Sequence, residues 1–250
     1  MVLPLTESAR ALLRLRYLRR DDQGQVVETE EELFWRVARA VAAAEDAFPN
    51  GRRSDELAEE FYRVMTSLRF LPNTPALINA GTELGQLFAC FVLPVPDSLD
   101  GIFGAIRDAA KIQQTGGGTG FSFSHLRPRG DLVRSTRRPS SGAVSFIRIF
   151  DTTSDVIATE SVRGGANMAV LRCDHPDVRE FINAKRNTAL FSRFNFSVLV
   201  SDAFLEAARA RKEIDLINPR TGAPFSRANA GDLFDEMVDA AWEVGDPGLL

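Results

Sequence analysis

The spacing of apolar residues along the chain changes near Phe70, and this change limits the folds that the chain can adopt. Before that point, apolar residues recur every three or four positions, which is typical of amphipathic helices. After it, short apolar runs alternate with amphipathic segments and are separated by glycine, proline and asparagine, which is typical of an α/β protein. The sequence therefore predicts a helical domain over residues 1–68 and an α/β domain over residues 69–250.

A capping box gives the clearest helix signal of the first domain. Thr29 is followed three residues later by Glu32, a spacing that lets each side chain bind the other's backbone N–H at a helix start. Apolar residues then fall on one predicted helical face: Leu33, Phe34, Val37, Val41 and Ala44. A second apolar stripe runs from Leu57 to Leu68 and predicts a further helix. Nothing in this domain looks catalytic.

The second domain is predicted to alternate strands and helices. The predicted strands cover residues 88–95, 120–124, 168–172, 195–200 and 214–217, and the predicted helices cover 99–110, 144–157, 176–182, 202–212 and 233–244. We expect the strand over 88–95 to be buried. The turn Gly245–Gly248 leads into a further apolar strand start where the sequence stops, which predicts that the chain is one piece of a longer architecture.

Composition excludes several classes of function. The formal charge of −4 and a pI near 5.4 argue against general coating of nucleic acids. No apolar run approaches the roughly 20 residues that cross a bilayer. The N-terminus lacks the pattern of a secretory signal, and two cysteines do not make a disulfide framework. We therefore expect a cytoplasmic protein without membrane or direct nucleic-acid binding, in which a reactive thiol would act as a reversible redox group.

Two clusters could hold a phosphate, and each has a plain structural alternative. The run Thr115–Gly120 contains four glycines, which suit close backbone approach to an anion but equally suit a tight turn between a helix and a strand. The second cluster consists of arginines, which could bind phosphate oxygens in a bidentate manner or form a solvated basic loop. Its members are Arg127, Arg129, Arg134, Arg137 and Arg138. A second arginine-glycine segment, Arg163–Met168, is either a recognition loop or a connection.

The two cysteines have different settings. Cys90 lies in an apolar run, where a cysteine is often an inert small side chain. Cys173 follows a predicted strand beside Asp174 and His175. Together with His125 these residues supply too few ligands for zinc, so no metal site is predicted.

Several different short motifs follow one another in a characteristic order along nearly the whole chain. The members of this series are Phe70–Pro75, Cys90 seven residues before Asp97-Ser98-Leu99, Gly117–Phe121, Leu126-Arg127-Pro128, Ser141-Gly142, Arg163–Met168, Asp174–Asp177, Phe194–Val198 and Gly245–Gly248. The series resembles the N-terminal part of a ribonucleotide reductase large subunit, of the adenosylcobalamin-dependent class II type. Such a series is far more specific than any one of its motifs.

The resemblance implies a fold and a reaction. The family fold is a ten-stranded α/β barrel behind a helical N-terminal region, of which this chain would supply the helical region and the first half of the barrel. In the family, a thiyl radical on a finger loop removes the ribose 3′ hydrogen, and a pair of cysteines then delivers reducing equivalents and becomes a disulfide. Cys90 matches the first cysteine of that pair, and we expect its sulfur to point into an enclosed nucleotide cavity near Thr74 and Gly118.

The resemblance also implies binding residues. The substrate set is Thr74, Ala89, Cys90, Gly118 and Arg163. The set for a deoxynucleoside triphosphate effector is Asp97, Ser98, Leu99 and Arg127, with Asp97 toward the deoxyribose hydroxyl and Arg127 toward phosphate. The loop that carries information from effector to substrate is Arg163, Gly164, Gly165, Ala166, Asn167 and Met168, with Arg163 as reader of the substrate.

The chain also departs from the family pattern. The Asn-x-Cys-x-Glu segment with the radical cysteine is absent, as is the second cysteine of the reducing pair. We therefore expect a piece of a split, intein-interrupted or truncated reductase, inactive without its C-terminal remainder. The implied cofactor is adenosylcobalamin, with no binding residue identified in this chain. The implied partners are a ribonucleotide, the effector, the C-terminal remainder, a thioredoxin-type reductant and a second copy in a homodimer.

Two other interpretations remain open. The first is a catalytically dead remnant that binds nucleotides or regulates. The second is a glycyl-radical relative that shares the barrel, against which the effector-type motifs speak.

Overall fold

The computed structural model describes residues 3–158, 166–187 and 189–250. The chain divides into two compact units, Met1–Ala89 and Cys90–Leu250, and each has its own hydrophobic core. The sequence texture changes earlier, near Phe70, so the boundary after residue 68 stays a prediction.

The first unit is helical, as predicted. Its helices are α1 (Glu7–Arg16), α2 (Glu30–Ala42), α3 (Ser54–Thr66) and α4 (Thr74–Asn79), and a 3-10 turn covers Ala43–Ala47. The capping box is present at the start of α2, where the Thr29 N–H donates to Glu32 Oε2 at 2.8 Å and the Glu32 N–H donates to Thr29 Oγ1 at 3.2 Å. Local sequence therefore sets where this helix begins.

The buried face of α2 matches the prediction only in its first half. Leu33, Phe34 and Val37 lie in the core of the first unit. Val41 and Ala44 are exposed, and the prediction was wrong for them. Ala44 lies beyond the end of α2 at Ala42, in a tighter turn that breaks the 3.6-residue period, whereas Val41 lies in the last turn of the helix.

The second unit has the α/β fold that the sequence predicts. Its elements in chain order are β1 (Cys90–Leu93), α5 (Leu99–Gln114), β2 (Gly118–Ser122), β3 (Leu132–Val133), β4 (Arg138–Pro139), α6 (Ala143–Ala158), β5 (Asn167–Arg172), α7 (Val178–Asn183), β6 (Phe194–Leu199), α8 (Asp202–Arg209), β7 (Glu213–Ile217), β8 (Pro224–Asn229), α9 (Ala230–Val244) and β9 (Gly248–Leu249). Five strands form a parallel sheet in the order β1-β2-β5-β6-β9. The two hairpins β3-β4 and β7-β8 are antiparallel.

One face of the parallel sheet packs against helices. Phe121 of β2 contacts Phe150 of α6 edge-on at a centroid distance of 4.7 Å, and Phe181 of α7 stacks on Phe196 of β6 at 4.4 Å. Phe121 and Phe196 are buried because, in the alternation of side chains along a strand, they lie on the face that packs against the helices. The aromatic core thus fixes which residues each strand presents on its other side.

The sequence missed three of the strands. Strands β3 and β4 are two residues long, and β8 is largely exposed, so none of them carries an apolar alternation. The main strands and helices follow the predicted order. Across the described ranges, no helix is long and apolar enough to span a bilayer.

Candidate functional site

A cavity of about 860 Å³ in the second unit brings together the predicted effector residues. Asp97, Ser98, Leu99 and Arg127 all line it. The Ser98 side chain accepts a hydrogen bond from the Gly101 N–H at 3.0 Å and so caps α5. Residues separated by about thirty positions therefore meet at the start of this helix.

Asp97 and Arg127 form an ion pair across the cavity wall. Arg127 Nη2 lies 2.9 Å from Asp97 Oδ2, and the Arg127 backbone N–H donates to Asp97 Oδ1 at 3.2 Å. Both side chains remain about one-fifth exposed, at 21% and 23%. The Asp97 carboxylate thus holds the Arg127 guanidinium in place. A nucleotide that contacts both groups would form its hydrogen bonds to them in addition to this ion pair.

Two further arginines line the same cavity. Arg134 has no hydrogen bond or ion pair with any residue that the structure describes. Arg220 binds Asp131 through two parallel contacts of 2.8 Å. These contacts outweigh burial and lower the pKa of the Asp131 carboxyl to about 2. Sequence reasoning missed Arg220, since nothing near it in the chain marks it as a partner of residue 131.

Hydroxyl groups complete the wall. The side chains are Ser98, Ser135, Thr136, Ser140 and Ser141. Guanidinium and hydroxyl donors together suit the oxygens of a phosphate chain. The lining is therefore rich in donors that suit an anionic ligand, although one carboxylate, Asp97, also lines the cavity.

The turn at residues 174–177 is hydrogen-bonded to the loop that carries Arg127. His175 Nε2 donates to the Leu126 carbonyl at 2.8 Å, and His175 Nδ1 accepts from the Asp177 N–H at 3.0 Å. These backbone partners fix the neutral form of the ring, and burial lowers the pKa of His175. The role of His175 is thus to position the residue before Arg127.

The Asp177 carboxylate joins two segments that flank the cavity wall. It accepts from the Arg129 N–H at 2.9 Å and from the Ala143 N–H at 2.8 Å. Gly142 lies against it with a φ of +85°, and a Cβ there would come within 2.7 Å of Asp177 Oδ2. Hydrogen bonds therefore connect the 174–177 turn to the residues that directly follow the motifs 126–128 and 141–142.

Cys90 does not lie in an enclosed cavity, and this expectation was wrong for the residues that the structure describes. The predicted burial of its strand was wrong as well, since Cys90 and Val92 are exposed. The physical reason is that β1 is an edge strand with β2 as its only neighbour among the described strands, and the helices cover the opposite face of the sheet. Cys90 is paired in register with Gly118, so the two predicted substrate residues do lie side by side.

Two other predicted substrate residues, Thr74 and Ala89, belong to the first unit. Thr74 is half-buried at the start of α4, and its Oγ1 lies 3.2 Å from the hydroxyl of Tyr17. Ala89 is half-buried at the end of that unit.

The predicted specificity loop is described only at its end. Arg163, Gly164 and Gly165 lie outside the described residues. Ala166 is exposed and Met168 is half-buried in β5. Asn167 is buried, and its Oδ1 accepts from the side chains of Gln113 and Thr119.

The glycine run at residues 115–120 forms a helix-to-strand turn. Gly116 has a φ of +83°, and a Cβ on Gly117 would lie 2.6 Å from the side chain of Ile112. The turn joins α5 to β2, so backbone geometry explains Gly116 and Gly117.

Cys173 is buried beside the 174–177 turn, and burial raises the pKa of its thiol. It forms no disulfide, and neither does Cys90. No three histidine, cysteine, aspartate or glutamate side chains cluster for a metal ion within the described parts of the chain.

Known proteins match both units. Residues 3–85 match the family model described as ribonucleotide reductase, all-alpha domain, and residues 88–250 match ribonucleotide reductase, barrel domain. A vitamin B12-dependent ribonucleoside-diphosphate reductase of Mycobacterium tuberculosis is 48% identical over 99% of this chain, which covers 36% of that protein. The enzyme of the same name in Thermoplasma acidophilum is 38% identical over 99% of this chain, which covers 40% of it.

A more distant relative is the ribonucleoside-diphosphate reductase subunit alpha of Bacillus subtilis. It is 28% identical over 77% of this chain, and 29% of its length is covered. The chain thus spans well under half the length of these relatives.

Proposed function

Because this chain belongs to the family of ribonucleotide reductase large subunits, we propose that it forms part of an adenosylcobalamin-dependent reductase that converts ribonucleotides to 2′-deoxyribonucleotides by thiyl-radical chemistry. The observation that carries the proposal is the cavity in which Asp97, Ser98, Leu99 and Arg127 meet. In this proposal the cavity binds a deoxynucleoside triphosphate effector, with Asp97 accepting from the deoxyribose hydroxyl and Arg127 binding phosphate.

Cys90 is the proposed first cysteine of the reducing pair. Its strand pairs in register with the strand of Gly118, a small residue that leaves room for a ribose. The second cysteine has to come from polypeptide outside this sequence, because Cys173 is buried in the hydrophobic core of the second unit. The proposed enzyme is therefore inactive until the C-terminal remainder joins it.

The described residues do not form a site that fits adenosylcobalamin. The arginine-lined cavity suits phosphate oxygens, and the neighbourhood of Cys90 is an open sheet edge that encloses no macrocycle.

Reconstitution tests the catalytic proposal. The chain is combined with a polypeptide that carries the Asn-x-Cys-x-Glu segment and the second cysteine, adenosylcobalamin and a dithiol reductant, and deoxynucleotide formation is measured. We expect turnover that Cys90→Ser abolishes and that the control Cys173→Ala retains. Absence of product under every reductant, or full activity of Cys90→Ser, would argue against the proposal.

A second candidate is a nucleotide-binding remnant without catalysis. It is favoured by the contrast between the built cavity and the open setting of Cys90. Calorimetry of the chain alone with dATP and dTTP tests the binding that both candidates require. We expect binding that Asp97→Ala and Arg127→Ala weaken, and reconstituted turnover then decides between the candidates.

A further inference from the structure

One guanidinium of the cavity comes from a distant part of the chain. Arg220 lies in the turn between β7 and β8, 89 residues after Asp131, and lines the cavity with Arg127 and Arg134. The Asn218 side chain accepts from the Arg220 backbone N–H at 3.0 Å, which fixes the turn. The hairpin thus contributes a cation to a wall otherwise built from residues 97–146.

The Arg220 side chain keeps donors to spare. Asp131 occupies its Nε and Nη2 atoms at 2.8 Å each. A guanidinium has five N–H groups, so three remain without a partner among the described residues. The side chain is 27% exposed and is held in one orientation by Asp131, which is itself 9% exposed. Such a group can bind an anion with little further loss of rotamer freedom.

One positive charge at the cavity has no acidic partner among the described residues. Asp97 balances Arg127 and Asp131 balances Arg220, whereas Arg134 has no acidic partner among the described residues. These five groups thus carry a net charge of +1, and a triphosphate could accept hydrogen bonds from all three guanidinium groups.

We propose that Arg220 is a phosphate ligand of this cavity, oriented by Asp131, and that it acts with Arg127 and Arg134 on the polyphosphate of a bound nucleotide. This inference rests on the proposed function of the cavity. It adds a binding residue from the β7-β8 hairpin, so that nucleotide binding would tie this hairpin to the loop of residues 127–141.

Titration calorimetry of the 250-residue chain with dTTP and dTMP tests the inference. We expect Arg220→Gln to weaken dTTP binding about ten- to one-hundred-fold, the usual effect of losing charge-assisted hydrogen bonds, and to weaken dTMP binding much less. The matched control is Arg227→Gln, which removes an arginine of β8 that pairs with Asp215 outside the cavity. This control should bind dTTP as the unaltered chain does.

A double variant separates a ligand from a mere partner of Asp131. If Arg220→Gln acts only by leaving the Asp131 charge unpaired, Asp131→Asn combined with Arg220→Gln restores dTTP affinity, and the inference is overturned. If Arg220 binds phosphate, the double variant stays weak while its thermal unfolding shows a folded protein. Equal dTTP affinity of Arg220→Gln and the unaltered chain also overturns the inference but leaves the proposed function standing. Failure of the unaltered chain to bind dTTP or dATP overturns both.

Discussion

Gly142 shows how a single residue holds the cavity wall in shape. It has a φ of +85°, and its α-carbon lies so close to the Asp177 carboxylate and to Arg129 that no side chain fits between them. The same carboxylate binds the backbone N–H groups of Arg129 and Ala143. A glycine is required here for two independent reasons, conformation and space.

We therefore expect Gly142→Ala to lower the free energy of unfolding of the second unit by about 2–5 kcal/mol, from the left-handed backbone and the disturbed Asp177 contacts. Gly130→Ala is the matched control, because Gly130 also has a φ of +85° but a Cβ added there would meet no atom within 4 Å. The control should lose only about 1–2 kcal/mol. Urea denaturation measures both, and equal losses would contradict the steric explanation.

The two thiols provide a second test at this scale. Cys90 is exposed, whereas Cys173 is buried and has a raised pKa, which lowers its thiolate fraction. We expect an aromatic disulfide reagent to label one thiol of the folded chain rapidly and the other only after unfolding. Cys90→Ser should remove the rapid phase. A slow reaction of both thiols would show that Cys90 is covered in solution.

Among the elements, the 174–177 turn connects more of the site than its length suggests. It binds the Leu126 carbonyl through His175 and, through Asp177, the backbone N–H groups of Arg129 and Ala143 next to the cavity-lining segments. The neutral ring is essential to this arrangement, because His175 Nδ1 accepts from the Asp177 N–H. A proton on Nδ1 would set two donors against each other.

The turn predicts a dependence of stability on pH. Burial lowers the pKa of His175 below its ordinary value of 6.5, despite the nearby carboxylates of Asp174 and Asp177 and with Arg172 acting in the same direction as burial. The stabilisation is complete above the ordinary value and is lost as the pH falls below it, since the unfolded chain then binds the proton more readily. We expect the free energy of unfolding to decrease from pH 7 to pH 5.

His175→Gln should remove most of this decrease, whereas His125→Gln should leave it intact because His125 is exposed. Denaturant unfolding at several pH values measures the slope. An unchanged slope in His175→Gln would assign the effect to other groups.

For the whole molecule, the two units have separate hydrophobic cores, and the first unit also contains a buried ion pair. In the first unit, Arg36 Nε lies 2.6 Å from Glu28 Oε1, and Arg36 also donates to the Ala80 carbonyl at 2.6 Å. Both side chains of the ion pair are less than one-tenth exposed. Removal of one partner would leave an uncompensated buried charge.

We expect Arg36→Met to destabilise the first unit by about 3–5 kcal/mol. Hydrogen exchange should show lost protection in α2 and α4 and retained protection in β5 and β6. The control is Arg52→Met, which breaks the exposed pair with Glu60 and should cost less than about 1 kcal/mol. Equal loss of protection in both units would show that they unfold together.

The sequence by itself determined the helical first region, the order of the main strands and helices, and the series of motifs that marks the family. Capping and periodicity act over a few residues, so the capping box at Thr29 and the strand of Phe194 can be found locally. Even the predicted effector residues could be named, because their motifs carry the resemblance.

Only the tertiary structure decided which of these residues meet and which face they occupy. The pairing of Arg220 with Asp131 joins positions 89 residues apart, and no local pattern encodes it. The exposure of Cys90 follows from the place of β1 at the sheet edge, which depends on strand order rather than on the apolar run around it. Burial and charge pairing are properties of neighbours in space, and these neighbours come from distant parts of the chain.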